Sequence, residues 1–474
     1  MKTIYKILLS FVFLIATISC DDYLDVNENR NQLVEVPTGT LLLKGTLLAN
    51  AQVQQGHLSR TSMYYTGGLI GLQLVQQTLY NYDYTPGDSN GTWSQVYNGI
   101  LVQNKEIRRL SPNLDLLNGI IDVNEALAVG TATSLFGDIP YSAAVPDGAS
   151  LNSPDPTFDA QADVYASLQT LLDGAINKIT NATTSVGSED IYNNGSKTKW
   201  VQAANTLKAR YYLQTKQYAQ ALNYVGSGIS SAANTLAYHP IGEVDGNSNI
   251  LSNFVTSSRA GDMTGNGAFY RDLIDPANGN SRNNAKTDEM ARRKYSYIKG
   301  NGEQADGIDD PATAMKLVSY EENLLIWAEC LLRGGNTQDA IDKLNQLRAF
   351  LNSGSAFNLI SGTDTFMYAA YDLTDFQTGG MENMDNIATD RAVLREIIEE
   401  RYVTGFTTFM PFNDARRLKK SDSDVIVPFP FQDRGQPVPS VNPQRLLYPQ
   451  DEINANSNIP SPIPDIFTPT PINQ

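Results

Sequence analysis

The segment TLYNYDYTPGDSNGTW, residues 78–93, interleaves aromatic and polar side chains in a pattern that could bind a ligand. The residues of this pattern are Tyr80, Asn81, Tyr82, Asp83, Tyr84 and Trp93. A flat aromatic ring packs against apolar faces of a ligand, while amides and carboxylates hydrogen-bond to its hydroxyl groups. Alternation in an extended segment would place the three tyrosines on one side. The segment therefore predicts a loop that makes neutral, polar contacts.

The same residues also have a structural interpretation. The tyrosines could anchor the loop to neighbouring helices, and the helical spacing after Trp93 indicates that its ring caps a core. A second, weaker cluster lies in another long loop and contains Tyr270, Arg271 and Arg282. The sequence leaves both interpretations open for the tyrosines.

Residue types that support catalysis or metal binding are scarce. His57 and His239 are the only histidines, which argues against a histidine-based metal site and against a Ser-His-Asp triad. The segment ADGIDDP carries Asp306, Asp309 and Asp310, whose oxygens could hold calcium. It lacks a full calcium-binding loop, so a solvated turn is the alternative. No spacing among the 51 acidic residues singles out the acid and base of a glycosidase.

One of the two cysteines lies at the end of an apolar run near the start of the chain. The run Ile7–Ile18 is shorter than the ~20 residues that cross a bilayer, so residues 1–19 are predicted to be a signal peptide. Cys20 follows directly and precedes DDYLD, a position at which a bacterial lipoprotein carries its covalent lipid. An ordinary secretion signal with an incidental cysteine is the alternative, and Thr17 departs from the usual leucine.

Composition limits the function classes further. The formal net charge of −16 repels phosphate groups and argues against nucleic-acid binding. Once Cys20 carries lipid, only Cys330 remains, so no intrachain disulfide is possible. Cys330 lies in the apolar helical run ENLLIWAECLLRGG, which predicts a buried and inert thiol.

The elements that must position these loops are mainly helices. No linker or charge block divides the chain, so residues 20–474 are expected to form a single domain, with residues 20–40 as an N-terminal tether. Apolar spacing predicts helix pairs at Trp93–Leu110 with Val123–Phe136, at Trp200–Ile229, and at Ala314–Phe350. Long segments rich in Gly, Asn, Asp and Pro separate the pairs and favour packed, partner-facing loops.

Two of these helix pairs resemble each other. At an offset of 119 residues, Ala209, Leu213, Ala221, Leu222 and Val225 match Ala328, Leu332, Ala340, Ile341 and Leu344. Small residues on one helix let its partner approach, and a short polar turn then reverses the chain, as in tetratricopeptide hairpins. Two unrelated amphipathic hairpins are the alternative. Either way, the predicted fold is mainly α, with tetratricopeptide-like hairpins and long irregular loops.

Four segments occur along the chain in the order SCDDYLDVN, WSQVYNGI, FGDIPY at Phe136–Tyr141 and QRLLYPQDEINAN. In this order they resemble the SusD/RagB family of nutrient-binding lipoproteins on the outer membrane of Bacteroidetes. The segment IIEERYVTGFTTFMPFNDARRLKK keeps Arg401 and Asp414 but lacks the central Glu-Gly of the family pattern. The last difference indicates a divergent branch of the family.

The resemblance implies a function as well as a fold. It implies a non-enzymatic, lipid-anchored protein that captures oligosaccharides, or peptides in some branches, above a SusC-like TonB-dependent transporter. The alternatives are a cell-surface glycoside hydrolase and a structural subunit of a transporter complex. No cofactor is expected apart from the lipid on Cys20 and the calcium considered above.

Most of the motif residues are predicted to have structural roles. Gly137 and Pro140 should end a helix and fix its exit angle, and Asp138 should bond to nearby amides. Arg401 and Arg445 are expected to pair with carboxylates rather than to touch ligand. Trp200 and Trp327 lie within helical stripes and are expected in the core.

Overall fold

The computed structural model describes residues 38–145, 155–242, 247–256, 259, 261–298, 307–357, 366–430 and 441–474. The predicted signal peptide, Cys20 and nearly all of the predicted tether lie outside the described residues, as does Asp306. Among the described helices, none is long and apolar enough to cross a membrane.

Helices make up most of the described structure, which confirms the mainly α prediction. The first helices are α1 (Thr40–Gln55), α2 (His57–Tyr65), α3 (Leu74–Tyr80), α4 (Asn90–Ser94), a π-helical segment (Gln95–Leu101), α5 (Val102–Leu110), α6 (Asp115–Phe136), α7 (Gln161–Asn181), α8 (Lys197–Gln214) and α9 (Tyr218–Val225). The others are α10 (Ile250–Thr256), α11 (Phe269–Leu273), α12 (Met290–Tyr295), α13 (Tyr320–Arg333), α14 (Thr337–Asn352), α15 (Thr389–Thr404), α16 (Met410–Leu418) and α17 (Gln450–Ala455).

Strands in the described ranges are short and form three antiparallel pairs. These are β1 (Ile70–Gly71) with β3 (Met263–Thr264), β2 (Leu236–Tyr238) with β5 (Met315–Val318), and β4 (Thr287–Asp288) with β6 (Met367–Tyr368). Strand β5 corrects the prediction that a helix begins at Ala314. Its apolar residues pair with β2 before the chain enters α13 at Tyr320.

The two matched helix pairs fold as hairpins, α8–α9 and α13–α14, as the repeat predicts. One small apolar cluster joins them and contains Ala209, Leu213, Ala221, Val225, Ile326 and Cys330. Cys330 is fully buried, which confirms the predicted burial of its thiol, and burial raises the pKa of this thiol to about 12. Trp200 is also fully buried, while Trp327 is half-buried against the cluster with Lys343 Nζ 3.6 Å from its ring centroid.

Two motifs that are distant in sequence pack on each other at the end of α6. Gly137 ends this helix with φ of +87°, a conformation that favours glycine. Asp138 Oδ1 accepts a bond of 2.8 Å from the backbone N–H of Gln161, as predicted. Tyr448 Oη donates to the Asp138 carbonyl at 2.8 Å. The FGDIPY and RLLYP motifs therefore contact each other at the end of α6.

The two predicted arginine pairings have different outcomes. Arg401 is buried and donates through Nε to Asp414 Oδ2 at 2.6 Å, which confirms its predicted ion pair. The prediction that Arg445 pairs with a carboxylate was wrong, since none of the described carboxylates forms an ion pair with it. Its guanidinium donates to the carbonyl of Phe136 and lies 5.2 Å from the ring centroid of Tyr448. The buried end of α6 supplies an unpaired carbonyl there, and the guanidinium satisfies it.

Candidate ligand-binding site

The predicted tyrosine loop is not extended. Tyr80 ends α3, and Tyr82 has φ of +65° in the turn that follows, so the three tyrosines do not share one side of a strand. Tyr82 is buried and its hydroxyl donates to Asn442 Oδ1 at 2.6 Å. Tyr84 is buried with its hydroxyl 2.6 Å from Ser89 Oγ. Tyr80 is half-buried, 6.1 Å between ring centroids from Tyr64.

The other members of this loop are placed by the backbone and by the core. Asn81 caps the C-terminus of α3, with its N–H 2.9 Å from the carbonyl of Gln77. Asp83 is exposed. Trp93 is buried with its ring centroid 5.2 Å from that of Phe136, so its ring lies in the core. The contacts of Tyr82, Tyr84 and Trp93 are the ones expected for anchoring residues.

The second predicted cluster is also buried. Tyr270 stacks on Phe406 with 4.2 Å between ring centroids. Arg271 donates to the carbonyl of Arg293, and its guanidinium carbon lies 5.3 Å from the ring centroid of Tyr297. Direct ligand binding by Tyr270 and Arg271 stays a prediction.

A short β-ribbon brings the two predicted loops together. Strand β1 precedes the tyrosine loop, and β3 precedes Tyr270 by a few residues. The backbone N–H of Tyr270 also donates to the carbonyl of Gly67 at 3.0 Å. The two loops that the sequence identified separately therefore lie beside each other.

The surface beside the ribbon is built from residues other than the predicted ones. We call it the ribbon face and define it by the exposed Leu72, Gln73 and Leu74, the half-buried Phe254 and Arg259, and the buried Arg60 and Asp262. The backbone N–H of Leu72 donates to the carbonyl of Asp262 at 2.7 Å. Gln73 Nε2 donates to Asp262 Oδ1 at 3.1 Å, and Arg259 pairs with the same carboxylate. Asp262 thus joins the β1 side of the face to the β3 side.

An aromatic ring lies beside two guanidinium groups on the ribbon face. The guanidinium carbons of Arg60 and Arg259 lie 4.2 Å and 6.0 Å from the ring centroid of Phe254. Phe254 is half-buried, and cations at these distances are attracted to an aromatic ring. These contacts hold α10, which carries Phe254, against α2, which carries Arg60.

Two leucines of the ribbon face project into solvent. Leu72 is 42% exposed and Leu74 is 65% exposed, values that are high for large apolar side chains. Leu74 has φ of +53°, which is unusual for a residue with a side chain. Gly71 makes the preceding turn possible, because a Cβ there would lie 1.9 Å from the carbonyl oxygen of Gln76. Exposed apolar groups held in this way commonly mark a binding surface.

The protonation states of His57 and Arg60 at the ribbon face do not change near neutral pH. Burial, reinforced by the positive charge of Arg60, lowers the pKa of His57 to about 4. His57 therefore stays uncharged near pH 7. Burial also lowers the pKa of Arg60 below its usual value, but its guanidinium remains a cation at neutral pH.

The chemistry of the ribbon face suits a ligand with apolar faces and hydroxyl edges. The leucines and Phe254 provide apolar contact, while the amide of Gln73 and the guanidinium of Arg259 provide planar hydrogen-bonding groups. Leu72, Gln73 and Leu74 were not predicted to form a binding surface, because the apolar run GLIGLQLVQQ is typical of a core segment. The flanking glycines Gly67, Gly68 and Gly71 were the signal of a turn that the apolar pattern concealed.

In the described residues, no group of three or more His, Cys, Asp or Glu side chains is arranged to hold a metal ion, although Asp306 of the calcium hypothesis is not among these residues. In the same region, the side chain of Asp309 is buried and that of Asp310 is half-buried. Calcium binding by this segment stays a prediction.

The fold resembles several solved structures. A SusD/RagB family protein of Bacteroides thetaiotaomicron is 18% identical over 90% of this chain and 95% of its own, with a TM-score of 0.65. A SusD homologue of Bacteroides fragilis is 16% identical over 92% and 100%, with a TM-score of 0.68. A chitin-binding SusD homologue of Flavobacterium johnsoniae is 16% identical over 90% and 98%, with a TM-score of 0.63. At these identities the likeness establishes the fold.

A family model extends the likeness to the sequence. A search of curated proteins returned no significant match. The model of a SusD-like family, described as starch-binding associating with outer membrane, matches residues 30–408. The matched residues make up most of the chain and include both the tyrosine loop and the loop that contains Tyr270. The chain belongs to the SusD-like family.

Proposed function

We propose that the chain is a non-enzymatic lipoprotein of the outer membrane that binds oligosaccharides at the ribbon face and delivers them to a SusC-like TonB-dependent transporter. The observation that carries this proposal is the pair of exposed leucines beside Phe254 and the planar polar groups of Gln73 and Arg259. The family description as starch-binding and the chitin-binding relative support the same ligand class.

Sugar rings fit this arrangement for a physical reason. A pyranose ring has apolar C–H faces, which can pack on leucine and phenylalanine, and hydroxyl edges, which need planar donors and acceptors. Gln73 offers an amide that both donates and accepts, and Arg259 offers donors only. Asp262 accepts from both side chains and so holds them in position.

The double variant Leu72→Ala/Leu74→Ala is expected to bind neutral oligosaccharides about tenfold more weakly, because burial of exposed leucine against a ligand contributes roughly 1–2 kcal/mol. Calorimetric titration with chitohexaose, maltohexaose and xylohexaose measures this change. Met384→Ala is the matched control, since Met384 is an exposed apolar side chain outside the ribbon face, 75% accessible. Equal affinity of the double variant and wild type would contradict a binding role for this face.

Delivery to a transporter requires anchoring at the membrane and a barrel partner. Wild-type protein is expected to co-purify with a TonB-dependent barrel from detergent-solubilised outer membranes of its own host. Cys20→Ser is expected to appear in the soluble fraction, because the lipid would have no thiol to attach to. Mass spectrometry of the purified complex identifies the barrel partner. Fractionation of cells that express Cys20→Ser shows whether the variant is soluble or bound to membranes. A Cys20→Ser protein that stays with membranes through its own lipid would overturn the anchoring site.

A further inference from the structure

A groove runs along the outer face of α1, separate from the ribbon face. It encloses about 560 Å³ between α1, the π-helical segment Gln95–Leu101 and α10. We call it the amide groove and define it by Leu41, Leu48, Gln52, Gln95, Gln103 and Asn253. A volume of this size lies within the range of small-molecule sites, which run from roughly 300 to 1,000 Å³.

The lining of the amide groove carries no charge. None of its described lining residues is an acid, a lysine, an arginine or a histidine, in a chain of which 18% is charged. Buried charge on a ligand would therefore meet no counter-charge, which is costly. The groove consequently suits an uncharged occupant.

Four side-chain amides face an otherwise aliphatic groove. Gln52 and Gln95 are exposed and make no side-chain hydrogen bond to another described residue, so their donors and acceptors are available. Leu41 is 52% exposed and Leu48 is 37% exposed along the same helix. Amides beside exposed leucines repeat the combination of groups found on the ribbon face.

The π-helical segment and two glycines shape the groove. Gly45 lies in the middle of α1, and a Cβ there would meet nothing within 4 Å, so the groove is open above it. Gly99 lets the π-helical segment approach α1, since a Cβ would lie 3.0 Å from that of Ala49. Local π-helices are rare and occur frequently at functional sites.

Helix α10 connects the amide groove to the ribbon face. Asn253 lines the groove, and the next residue, Phe254, belongs to the ribbon face. Leu41 to Gln52 covers roughly 16 Å along α1 at 1.5 Å per residue, and α2 with Arg60 follows that helix after Gly56. The two surfaces therefore meet at adjacent residues of α10, Asn253 and Phe254.

We propose that the amide groove is a second binding segment for uncharged oligosaccharides, so that a long chain occupies the groove and the ribbon face together. This inference rests on the proposed function. The groove would bind an uncharged part of the oligosaccharide. The affinity for the oligosaccharide should therefore increase with its length until the groove is filled.

The experiment compares a short and a long neutral ligand on the full-length protein. Affinities for chitotriose and chitohexaose, and for maltotriose and maltohexaose, are measured by titration calorimetry. Gly45→Trp fills the groove, and a helical tryptophan is tolerated better than glycine, so folding is preserved. This variant is expected to weaken hexaose binding about tenfold and to leave triose binding unchanged.

Two further variants show whether the effect of Gly45→Trp comes from filling the groove or from misfolding of the protein. Gln52→Ala/Gln95→Ala removes two amides without adding bulk and is expected to weaken hexaose binding in the same direction. Gly174→Trp is the matched control, because Gly174 is an exposed glycine of α7 whose Cβ would also meet nothing within 4 Å. It is expected to bind both lengths like wild type.

The outcomes distinguish this inference from the proposed function. If hexaose affinity is unchanged in both groove variants while Leu72→Ala/Leu74→Ala weakens both lengths, the groove inference is overturned and the proposed function stands. If wild type binds no neutral oligosaccharide of either length, the proposed function fails and the groove inference fails with it. Loss of hexaose affinity alone in the groove variants supports the inference.

Discussion

Arg282→Met is expected to lower the free energy of unfolding by about 3–5 kcal/mol, the loss typical of breaking a buried ion pair. Arg282 is buried and follows α11 in the long loop that leads to β4. Its guanidinium donates to four carboxylates at 2.6 to 3.0 Å, those of Glu289, Glu396, Glu399 and Glu400. Removing this single cation leaves carboxylates packed together without their shared partner.

The pKa shifts of the glutamates around Arg282 show two opposed effects, the burial of the carboxylates and the attraction of the guanidinium. Burial raises the pKa of Glu396 and Glu399 above the usual value, against the attraction of Arg282. Glu400 differs, because Arg292 and Arg282 together overcome burial and lower its pKa to about 2. Arg282 therefore ties the loop that follows the ribbon face to α15, and its loss should loosen that loop.

Urea denaturation at pH 7 measures the effect of Arg282→Met. The matched control is Arg109→Met, since Arg109 forms an exposed ion pair with Glu106 and its loss should cost less than ~1 kcal/mol. Arg282→Met/Glu396→Gln should recover part of the lost stability, because it removes a cation and a carboxylate together. If Arg282→Met is as stable as wild type, the cluster does not hold the loop.

Glu329→Gln is expected to cost about 3 kcal/mol at pH 7, for a related reason. Glu329 on α13 is fully buried and accepts two bonds from Arg417, at 2.7 and 2.6 Å, and one from Arg333 at 2.9 Å. Burial opposes its charge, but Arg417 and the neighbouring arginines lower its pKa from 4.5 to about 2. The charged form is therefore strongly favoured in the folded protein.

The sign of the pH dependence follows from that pKa. The folded-state pKa of Glu329 lies below the unfolded value, so the unfolded chain binds more protons between about pH 4.5 and pH 2. The advantage of wild type over Glu329→Gln should be complete above this window and disappear as pH falls through it. Denaturation curves of both proteins across the window, with the exposed Asp451→Asn as control, measure the difference. A difference that does not change with pH would contradict the assignment.

The helical scaffold could be predicted from sequence because its signals are local. Apolar residues at helical spacing and the small residues of the repeat indicated the hairpins α8–α9 and α13–α14. Strand β5 was missed because it has only four residues, Met315–Val318, and a single residue, Ser319, separates it from α13. Its pairing with β2, many residues away, is not encoded in that local pattern.

For the candidate site, the sequence indicated two loops but not which of their residues face solvent. The loops of the tyrosines and of Tyr270 lie beside the ribbon, but the partners of these residues are distant in sequence, as with Tyr82 and Asn442. Such long-range contacts decide which tyrosines are buried. The burial of a tyrosine therefore cannot be inferred from the alternation of aromatic and polar residues within one segment. The exposure of Leu72 and Leu74 depends on a turn with a positive φ at a leucine, which no propensity favours.

The most direct test of the central claim is a crystal structure of the protein soaked with chitohexaose or maltohexaose, combined with mass spectrometry of the recovered sugar. We expect an intact oligosaccharide that lies across Leu72, Leu74 and Phe254, with hydroxyl groups hydrogen-bonded to Gln73 and Arg259. An oligosaccharide bound only at another surface, or one recovered as shorter fragments, would contradict it.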